Sequence, residues 1–237
     1  MLPPLTASPA GADKDPFAGR LLTLPLQPGE YASTVFIPLP VPGPTTWAGA
    51  CAFVAAACAA FPHLRPLWRP GDDAPSLHVS LSRPFAMRRH QGGSAAKALR
   101  KELAGRRVQL PCTVAVSTQH VVLLNEHGTR TFLALALDPG CTAPLAAAGA
   151  AADVALGRHG VAPHLSPGQV FCPHISLAWA PGDVTSAVEA AAAAAARSCM
   201  PRLVGWQTQA GGVHFRLGSK VAVVYGQGAT QDPAVFT

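Results

Sequence analysis

The sequence predicts an α+β protein with two pseudo-symmetric lobes, each an antiparallel sheet with helices on its outside, and a cleft between the lobes. Strand and helix patterns follow one another in the order β-α-β-α-β-β-β-α-β-α-β-β, which mixes hairpins with helices instead of winding one parallel sheet. Each half of the chain also places one helix before and one helix after a strand that contains His-x-Ser. At 237 residues, the chain has room for one large domain or two small lobes.

Alternating apolar and polar residues, rich in Val, Ile, Leu and Phe, predict the strands. The segment LHVSLSR at 77–83 is the clearest case, since its large apolar residues recur at every second position. Two further runs flank NEHGTR at 125–130, which has the composition of a turn, so they predict a hairpin. The predicted strands are 33–39, 77–83, 108–117, 120–125, 131–137, 172–179, 203–217 with a bend at Gly211 and Gly212, and 220–225.

Segments with helix-start and helix-stop residues, most of them rich in alanine, predict four helices. Thr45 and Thr46 precede the first helix and Pro62 ends it, while Ser94 is the expected N-cap of the second. The predicted helices are 47–61, 94–104, 144–159 and 184–199.

The two ends of the chain lack a periodic pattern. Residues 1–29 contain six Pro and predict a mobile leader, residues 30–226 form the predicted bilobed domain, and residues 227–237 predict a frayed C-terminus. The start has no basic segment followed by an apolar one, so we expect no secretory signal. The alanine-rich runs are too short and too weakly hydrophobic to span a bilayer, so we expect no membrane segment.

Several classes of site find no support in the sequence. The six Cys are scattered without a zinc-site spacing, so we expect reduced thiols in an intracellular protein and no metal. Asp72 and Asp73 are the only adjacent carboxylates, whereas a two-metal nuclease needs several that converge. No Gly-x-Ser-x-Gly occurs, which argues against an α/β-hydrolase.

Basic residues outnumber acidic ones by 18 to 12, and the net charge of +6 favours an anionic partner. Eight of these bases fall within residues 83–107, directly after the first His-x-Ser segment. They are expected either to steer a nucleic-acid backbone or to form a solvated helix face, and the sequence leaves both readings open. The eight are Arg83, Arg88, Arg89, Lys97, Arg100, Lys101, Arg106 and Arg107.

The main chemical signal is the pair of segments His78-Val79-Ser80 and His174-Ile175-Ser176. Side chains two positions apart in a strand share a face, so His and Ser of each segment point the same way. The apolar residues between and after them then face the cores of the lobes. One His-x-Ser carries little weight, but two copies in alternating apolar strands, 96 residues apart, are far less expected by chance.

Two imidazoles on opposite sides of a phosphodiester indicate a definite reaction. One neutral His removes the proton of a ribose 2′-OH, and one protonated His supplies a proton to the leaving 5′-oxygen. The Ser hydroxyls can donate to the non-bridging oxygens, where negative charge builds up. Cys172 shares a strand face with His174, but a Cys–His nucleophilic pair is poorly aimed there, so a buried thiol is the preferred interpretation.

Three segments resemble the eukaryotic U6 small nuclear RNA phosphodiesterases, a family of the two-histidine (2H) phosphoesterase superfamily. They are LHVSLSRPF (77–85), NEHGTRTFLALAL (125–137) and PHISLAWAPGD (173–183). The segments STVFIPLP (33–40) and GSKVAVV (218–224) also fit the family's pattern, so the resemblance covers about residues 30–226.

The resemblance implies an enzyme that trims the oligouridine 3′ end of U6 RNA in the nucleus, with the 2′-OH as nucleophile and no cofactor. It implies His174 as the base, His78 as the acid, and Ser80 and Ser176 as phosphate-binding residues. The expected partner is the 3′ end of U6 RNA, no membrane is involved, and we expect a monomer. The product could end in a cyclic phosphate or be opened to a 3′-phosphate.

The chain departs from the family at one position. Relatives often carry an aromatic residue six positions before the second His, which stacks on a uracil, but Gly168 occupies that position here. Phe171 is the nearest aromatic residue and the candidate for base stacking, although Phe is more often a core residue.

Two other functions are compatible with the same sequence features. A 2′,3′-cyclic phosphodiesterase or a 2′–5′ RNA ligase of the same superfamily would use the same four residues. An RNA-binding module with an inactive site is the alternative from another class, and the intact His and Ser residues argue against it.

Overall fold

The computed structural model describes residues 24–68, 76–165, 169–229 and 236. Within these residues the predicted α+β class is confirmed, with two antiparallel sheets and four helices. The strands are β1 (Glu30–Pro38), β2 (Arg65–Pro66), β3 (His78–Ser80), β4 (Phe85–Arg88), β5 (Cys112–Leu124), β6 (Arg130–Leu137), β7 (His174–Pro181), β8 (Gln207–Ala210), β9 (Gly212–Leu217) and β10 (Lys220–Gly226). The helices are α1 (Pro44–Ala60), α2 (Gly92–Gly105), α3 (Ala143–Gly157) and α4 (Thr185–Cys199).

The two sheets do not follow the two halves of the chain. The first sheet has the strand order β10-β9-β1-β3, with β4 also paired to β1, and the second has the order β2-β7-β6-β5-β8. Thus β2, from the first half of the chain, belongs to the second sheet. Conversely, β9 and β10 from the second half complete the first sheet. The lobes are similar, as predicted, but they are interlocked, because each sheet contains strands from both halves of the chain.

The structure corrects two strand predictions in the middle of the chain. The segments predicted as separate strands at 108–117 and 120–125 form the single strand β5, whose pairing with β6 shifts register between Val116 and His120. Such a shift interrupts the side-chain alternation, so the pattern resembles two strands. Strands β2 and β4 were not predicted, because segments of two and four residues show no periodicity.

The predicted strand at 203–217 is two strands that belong to different sheets. Strand β8 pairs with β5 in the second sheet, and β9 pairs with β1 in the first. The chain crosses between them at the predicted bend. A Cβ on Gly212 would lie 2.7 Å from the carbonyl oxygen of Tyr225, so the backbones meet here at a distance that only glycine permits.

Two helix starts also differ from the prediction. Helix α1 begins at Pro44 and neither Thr45 nor Thr46 caps it, since Pro suits the first helical position without a capping side chain. Helix α2 begins at Gly92, and the Ser94 hydroxyl donates to the carbonyl of Gln91. Ser94 therefore lies inside the first turn, and its prediction as the N-cap was wrong.

The first sheet has one buried face and one partly exposed face. Every second residue of its strands is buried, including Val35, Ile37, Val79, Val213 and Phe215. Helix α2 covers this face, as its first residue approaches the side chain of Leu217. The opposite face carries polar and partly exposed side chains, namely Thr34, Pro38, His78, Ser80, His214 and Arg216.

The chain termini lie largely outside the described residues. The mobile leader predicted for residues 1–29 is described only from residue 24, and it stays a prediction. Within the predicted frayed C-terminus, the described residue Phe236 is buried and its ring lies 5.0 Å from that of Phe215. None of the helices in the described ranges is long and apolar enough to cross a membrane.

A buried hydroxyl ties strand β6 to the end of β7 and the start of α4. Thr131 is fully buried, and its Oγ1 donates to the carbonyl of Gly182 at 2.9 Å. The same oxygen accepts from the backbone N–H of Val184 at 3.0 Å. Both backbone groups therefore depend on one side chain for their hydrogen bonds.

We predict that Thr131→Val lowers the free energy of unfolding by about 1–3 kcal/mol, because it leaves two backbone groups without a partner. Urea unfolding followed by circular dichroism measures this change. Thr113→Val is the matched control, since Thr113 is exposed in a strand and its hydroxyl accepts an exposed hydrogen bond, from the Gln209 side chain, instead of a buried one. Equal unfolding midpoints for the two variants would contradict the role of the hydroxyl.

Candidate active site

The two His-x-Ser segments lie on strands that meet at the junction of the two sheets. Strand β3, with His78 and Ser80, is the last strand of the first sheet and contacts β7, which carries His174 and Ser176. In both segments the central residue is buried while His and Ser are partly exposed. Four polar side chains from two sheets are therefore brought to one cleft.

The same backbone contact holds both imidazoles. Nδ1 of His78 lies 3.1 Å from the carbonyl oxygen of Ser76, and Nδ1 of His174 lies 2.9 Å from the carbonyl oxygen of Cys172. Each carbonyl belongs to the residue two positions earlier. Because a carbonyl oxygen only accepts hydrogen bonds, Nδ1 carries a proton in both rings. Nε2 is then the nitrogen that gains or loses the second proton.

In the first sheet, an aromatic ring supports the histidine. Pro38 and Phe36 of β1 stand opposite His78 and Ser80. The rings of Phe36 and His78 meet edge to face, with centroids 5.5 Å apart and an interplanar angle of 69°. The ring contact and the bond to Ser76 together restrict the orientation of the His78 ring.

In the second sheet, the strand next to the histidine presents small side chains. Ala136 and Ala134 of β6 stand opposite His174 and Ser176. Burial lowers the pKa of His174 below its ordinary value of 6.5, and the hydrogen bond to the Cys172 carbonyl opposes part of this effect. A lowered pKa means that the His174 ring is neutral at pH 7 and can accept a proton at Nε2.

The hydroxyls of Ser80 and Ser176 share the strand faces of the two histidines. Among the described residues, neither hydroxyl has a hydrogen-bond partner. Both can therefore donate to the oxygen atoms of a ligand. Two hydroxyl donors beside two imidazoles suit a phosphate group, whose oxygens accept hydrogen bonds and gain charge during displacement.

The candidate stacking residue packs against the protein itself. The ring of Phe171 lies 3.7 Å from the position of a Cβ on Gly149 in α3, and 6.2 Å from the His164 ring, edge to face. These contacts are typical of a core aromatic residue, and stacking on a base stays a prediction. Gly168 lies outside the described residues. Cys172 is exposed, so its expected burial was wrong.

The bases of residues 83–107 lie on two sides of the first sheet. Helix α2 covers the buried face of the sheet, so Lys97, Arg100 and Lys101 lie behind it, away from the face that carries His78. This position argues against a role for these bases at the cleft. Lys97 and Lys101 are exposed, which favours the solvated-face interpretation for them, whereas Nε of Arg100 is inaccessible to solvent. Arg83, three residues after Ser80, lies next to the cleft instead.

No cluster of three or more His, Cys, Asp or Glu side chains in the described ranges has an arrangement that could hold a metal ion. Asp72 and Asp73 fall outside those ranges. All six Cys are free in this structure, and their reduced state in a cell stays a prediction.

A family model described as "HVSL: Uncharacterised conserved protein" matches residues 9–225. The chain belongs to the HVSL family. The family assignment confirms the predicted resemblance, since HVSL is the family of Usb1. No curated protein sequence matches the chain.

Solved structures agree with the HVSL fold. The structure of Kluyveromyces marxianus Usb1 is 17% identical, with a TM-score of 0.61 over 82% of this chain and 98% of that chain. The structure of the same protein with uridine monophosphate gives 17% identity, a TM-score of 0.60 and the same coverage. At this identity the likeness establishes the fold.

Within this HVSL protein, Arg83 connects three segments around the cleft. Its guanidinium pairs with Glu126 in the β5–β6 turn and donates to the carbonyl of His164 at 3.1 Å. The backbone N–H of His164 in turn donates to Asp153 of α3 at 2.7 Å. The loop that precedes β7 is therefore tied to both α3 and the end of β3.

The sequence predicts an exposed His164, but the ring is partly buried and the prediction was wrong. Its Nδ1 is inaccessible to solvent and has no partner among the described residues. Burial is the main cause that lowers the pKa of His164, and the nearby charges of Arg83 and His174 act in the same direction, whereas Asp153 and Glu126 oppose them. Only the tertiary contacts could place this ring beside His174.

The turn segment NEHGTR is organised by its own side chains. Oδ1 of Asn125 accepts from the backbone N–H groups of Thr129 and Arg130 at 2.8 and 2.9 Å. The guanidinium of Arg130 lies over the ring of Trp179 at 5.3 Å. These contacts give Asn125 and Arg130 structural roles, and they leave Glu126 directed toward Arg83.

We predict that Arg83→Met speeds amide hydrogen exchange at residues 160–165 and 169–171 before β7, because His164 loses its contact to the end of β3. The midpoint of thermal unfolding should change little, since the ion pair is partly exposed. Arg158→Met is the matched control, because Arg158 pairs with Glu102 on α2. If both variants exchange alike in this loop, Arg83 does not hold it.

Proposed function

We propose that this HVSL protein is a metal-independent 3′–5′ exoribonuclease that removes nucleotides from the oligouridine 3′ end of U6 small nuclear RNA. The observation that carries the proposal is the pair of His-x-Ser segments on contacting strands, with both imidazoles held through Nδ1. The similarity to a Usb1 structure determined with uridine monophosphate supports a uridine nucleotide as ligand.

The proposed step is an in-line transfer at the last phosphodiester. Nε2 of neutral His174 takes the proton of the 2′-OH on the penultimate ribose, and that 2′-oxygen forms a bond to phosphorus. The bond from phosphorus to the 5′-oxygen breaks, and Nε2 of protonated His78 supplies a proton to that oxygen. The products are a terminal nucleoside with a free 5′-OH and a shortened RNA with a 2′,3′-cyclic phosphate. Proton exchange with water restores both rings.

Ser80 and Ser176 are proposed to donate hydrogen bonds to the two non-bridging oxygens. Their free hydroxyls support this role, because charge on these oxygens grows as the 2′-oxygen attacks. Opening of the cyclic phosphate by water would give a 3′-phosphate. End-group analysis of the shortened RNA distinguishes the two products.

We predict that His78→Ala and His174→Ala each reduce cleavage of a uridine-tailed RNA by about 10² to 10⁴, since each removes a proton-transfer group. Ser80→Ala and Ser176→Ala should each cost about 10² to 10³ in kcat. Initial rates measured in EDTA test both statements. His63→Ala is the control, because His63 is exposed and lies outside the cleft.

The same assay separates the alternatives. Cleavage of RNA with a deoxyribose at the penultimate position would exclude the 2′-OH as nucleophile. Faster turnover of a small 2′,3′-cyclic phosphate than of the tailed RNA would favour a cyclic phosphodiesterase, and joining of RNA ends would favour a ligase. Tight RNA binding without cleavage would leave only an RNA-binding function.

We predict that the acid-side midpoint of the kcat/KM profile lies below pH 6.5. The base must be neutral in the free enzyme, and burial lowers the pKa of His174 below 6.5. Activity is therefore retained as the pH falls through 6.5 and is lost only below the pKa of His174. The profile is measured from initial rates on a uridine dinucleotide. A range of roughly pH 4.5 to 9 extends about two units on either side of the ordinary pKa of a histidine. An acid-side midpoint above 6.5 would contradict His174 as the base.

The cellular setting is proposed from the family resemblance. A nuclease for U6 RNA acts in the nucleus, so a fluorescently tagged chain should concentrate there. The protein is proposed to act as a monomer, which sedimentation analysis tests directly.

A further inference from the structure

The exposed face of the first sheet continues beyond His78 to two residues that no step of the proposed reaction uses. Phe36 of β1 stands opposite Ser80 on one side and opposite His214 of β9 on the other. Thr34, two residues earlier on β1, stands opposite Arg216. His214 and Arg216 therefore share the face of His78 and Ser80. His214 lies two strand spacings, about 10 Å, from Ser80, and Arg216 lies two residues further along its strand.

Phe36 joins these groups into one surface. Its ring centroid lies 5.5 Å from those of both His78 and His214, and the guanidinium of Arg216 lies 5.1 Å from it. Phe36 is only 5% exposed, although it lies on the open face. The imidazole of His78 and the guanidinium of Arg216 are therefore positioned by contact with the same ring.

Arg216 carries a charge that the described part of the protein does not neutralise. It is half-buried, and it forms no ion pair or hydrogen bond with any described residue. Burial lowers its pKa, yet an Arg side chain remains charged at neutral pH. Burial, and then the charge of Arg216, lower the pKa of His214, so its ring is a neutral hydrogen-bonding group. A half-buried guanidinium beside a neutral imidazole is suited to an anion.

A pocket of about 430 Å³ adjoins His214 on this side of the sheet. Its lining includes Pro38, next to His78 in the sheet, and the residues Gln209 and Gln227. The volume is within the usual range for small-ligand pockets, and a nucleoside is such a ligand. Arg216 does not line this pocket, and His214 lies between the two on the sheet. A nucleoside in the pocket could thus place an adjoining phosphate at His214 and Arg216.

We propose that Arg216, with His214, binds a second phosphate of the RNA strand and so forms a nucleotide subsite next to the reaction centre. This proposal rests on the proposed function of the His-x-Ser pair. The second phosphate has two sources: a phosphodiester upstream of the scissile one, or a phosphate at the 3′ end. The chemistry of recognition is the same for both.

The test compares three substrates that share one scissile bond. The dinucleotide UpU has no second phosphate, UpUpUpU adds upstream phosphates, and UpUp adds a 3′-phosphate. We expect Arg216→Ala to reduce kcat/KM on at least one of the longer substrates, relative to UpU, by about tenfold, the effect of one charge-assisted hydrogen bond. If kcat/KM falls on UpUpUpU, the second phosphate is an upstream phosphodiester. If it falls on UpUp, the second phosphate is the one at the 3′ end. Arg216→Lys should restore part of it.

The control is Arg197→Ala, which removes an exposed Arg from α4. It should leave the ratio of kcat/KM between longer and shorter substrates as in the wild type. Thermal unfolding verifies that each variant is folded. An equal loss on all three substrates with Arg216→Ala, or no loss on any, would overturn the subsite.

A binding experiment separates failure of the subsite from failure of the proposed function. An oligodeoxyuridine tetramer with a 3′-phosphate carries both kinds of second phosphate but no 2′-OH, so its dissociation constant does not depend on catalysis. Arg216→Ala should weaken binding about tenfold and reduce the salt slope by about 0.7, as for one lost contact to a single strand. If the wild type cuts no RNA but shows this difference, the subsite stands and the nuclease proposal fails. If the wild type and Arg216→Ala bind the tetramer equally, the subsite is overturned.

Discussion

The contact between strands β3 and β7 is the constraint on which the rest of the site depends. The two strands belong to different sheets, and each presents His and Ser on its exposed face and buried apolar residues on the other. Burial of Val79 and Ile175 fixes which face is exposed, because a shift by one residue would place the imidazoles in the core. The packing energy of the lobes thus also orients the chemical groups.

Two equivalent histidines gain different properties from their neighbours. Both donate Nδ1–H to the carbonyl two residues earlier, so their intrinsic geometry is alike. Phe36 contacts the ring of His78, whereas alanines flank His174, whose burial lowers its pKa. The proposed roles of one base and one acid would need such a difference, because the two rings must carry different protonation states at the same pH.

The positions of individual basic residues say more about the site than the net charge of the protein does. The excess of +6 has its densest stretch at residues 83–107, but the helical part of that stretch lies behind the first sheet. Two other cations have defined positions among the described residues. Arg83 holds the loop before β7, and Arg216 lies on the open face of the first sheet beside Phe36. Arg83 thus pairs with other segments of the protein, whereas Arg216 has no ion pair with any residue that the structure describes.

The sequence by itself determined the α+β class, most of the helices and strands, and the two His-x-Ser segments with their exposed and buried faces. These features depend on local periodicity, which any strand or helix displays regardless of its partners. Tertiary structure alone decided which strands pair, so the interlocked sheets, the crossing at Gly212 and the ring of Phe36 between His78 and Arg216 could not be predicted. His164 and Arg216 had no sequence signal, because their significance comes from residues far away in the chain that the fold brings into contact.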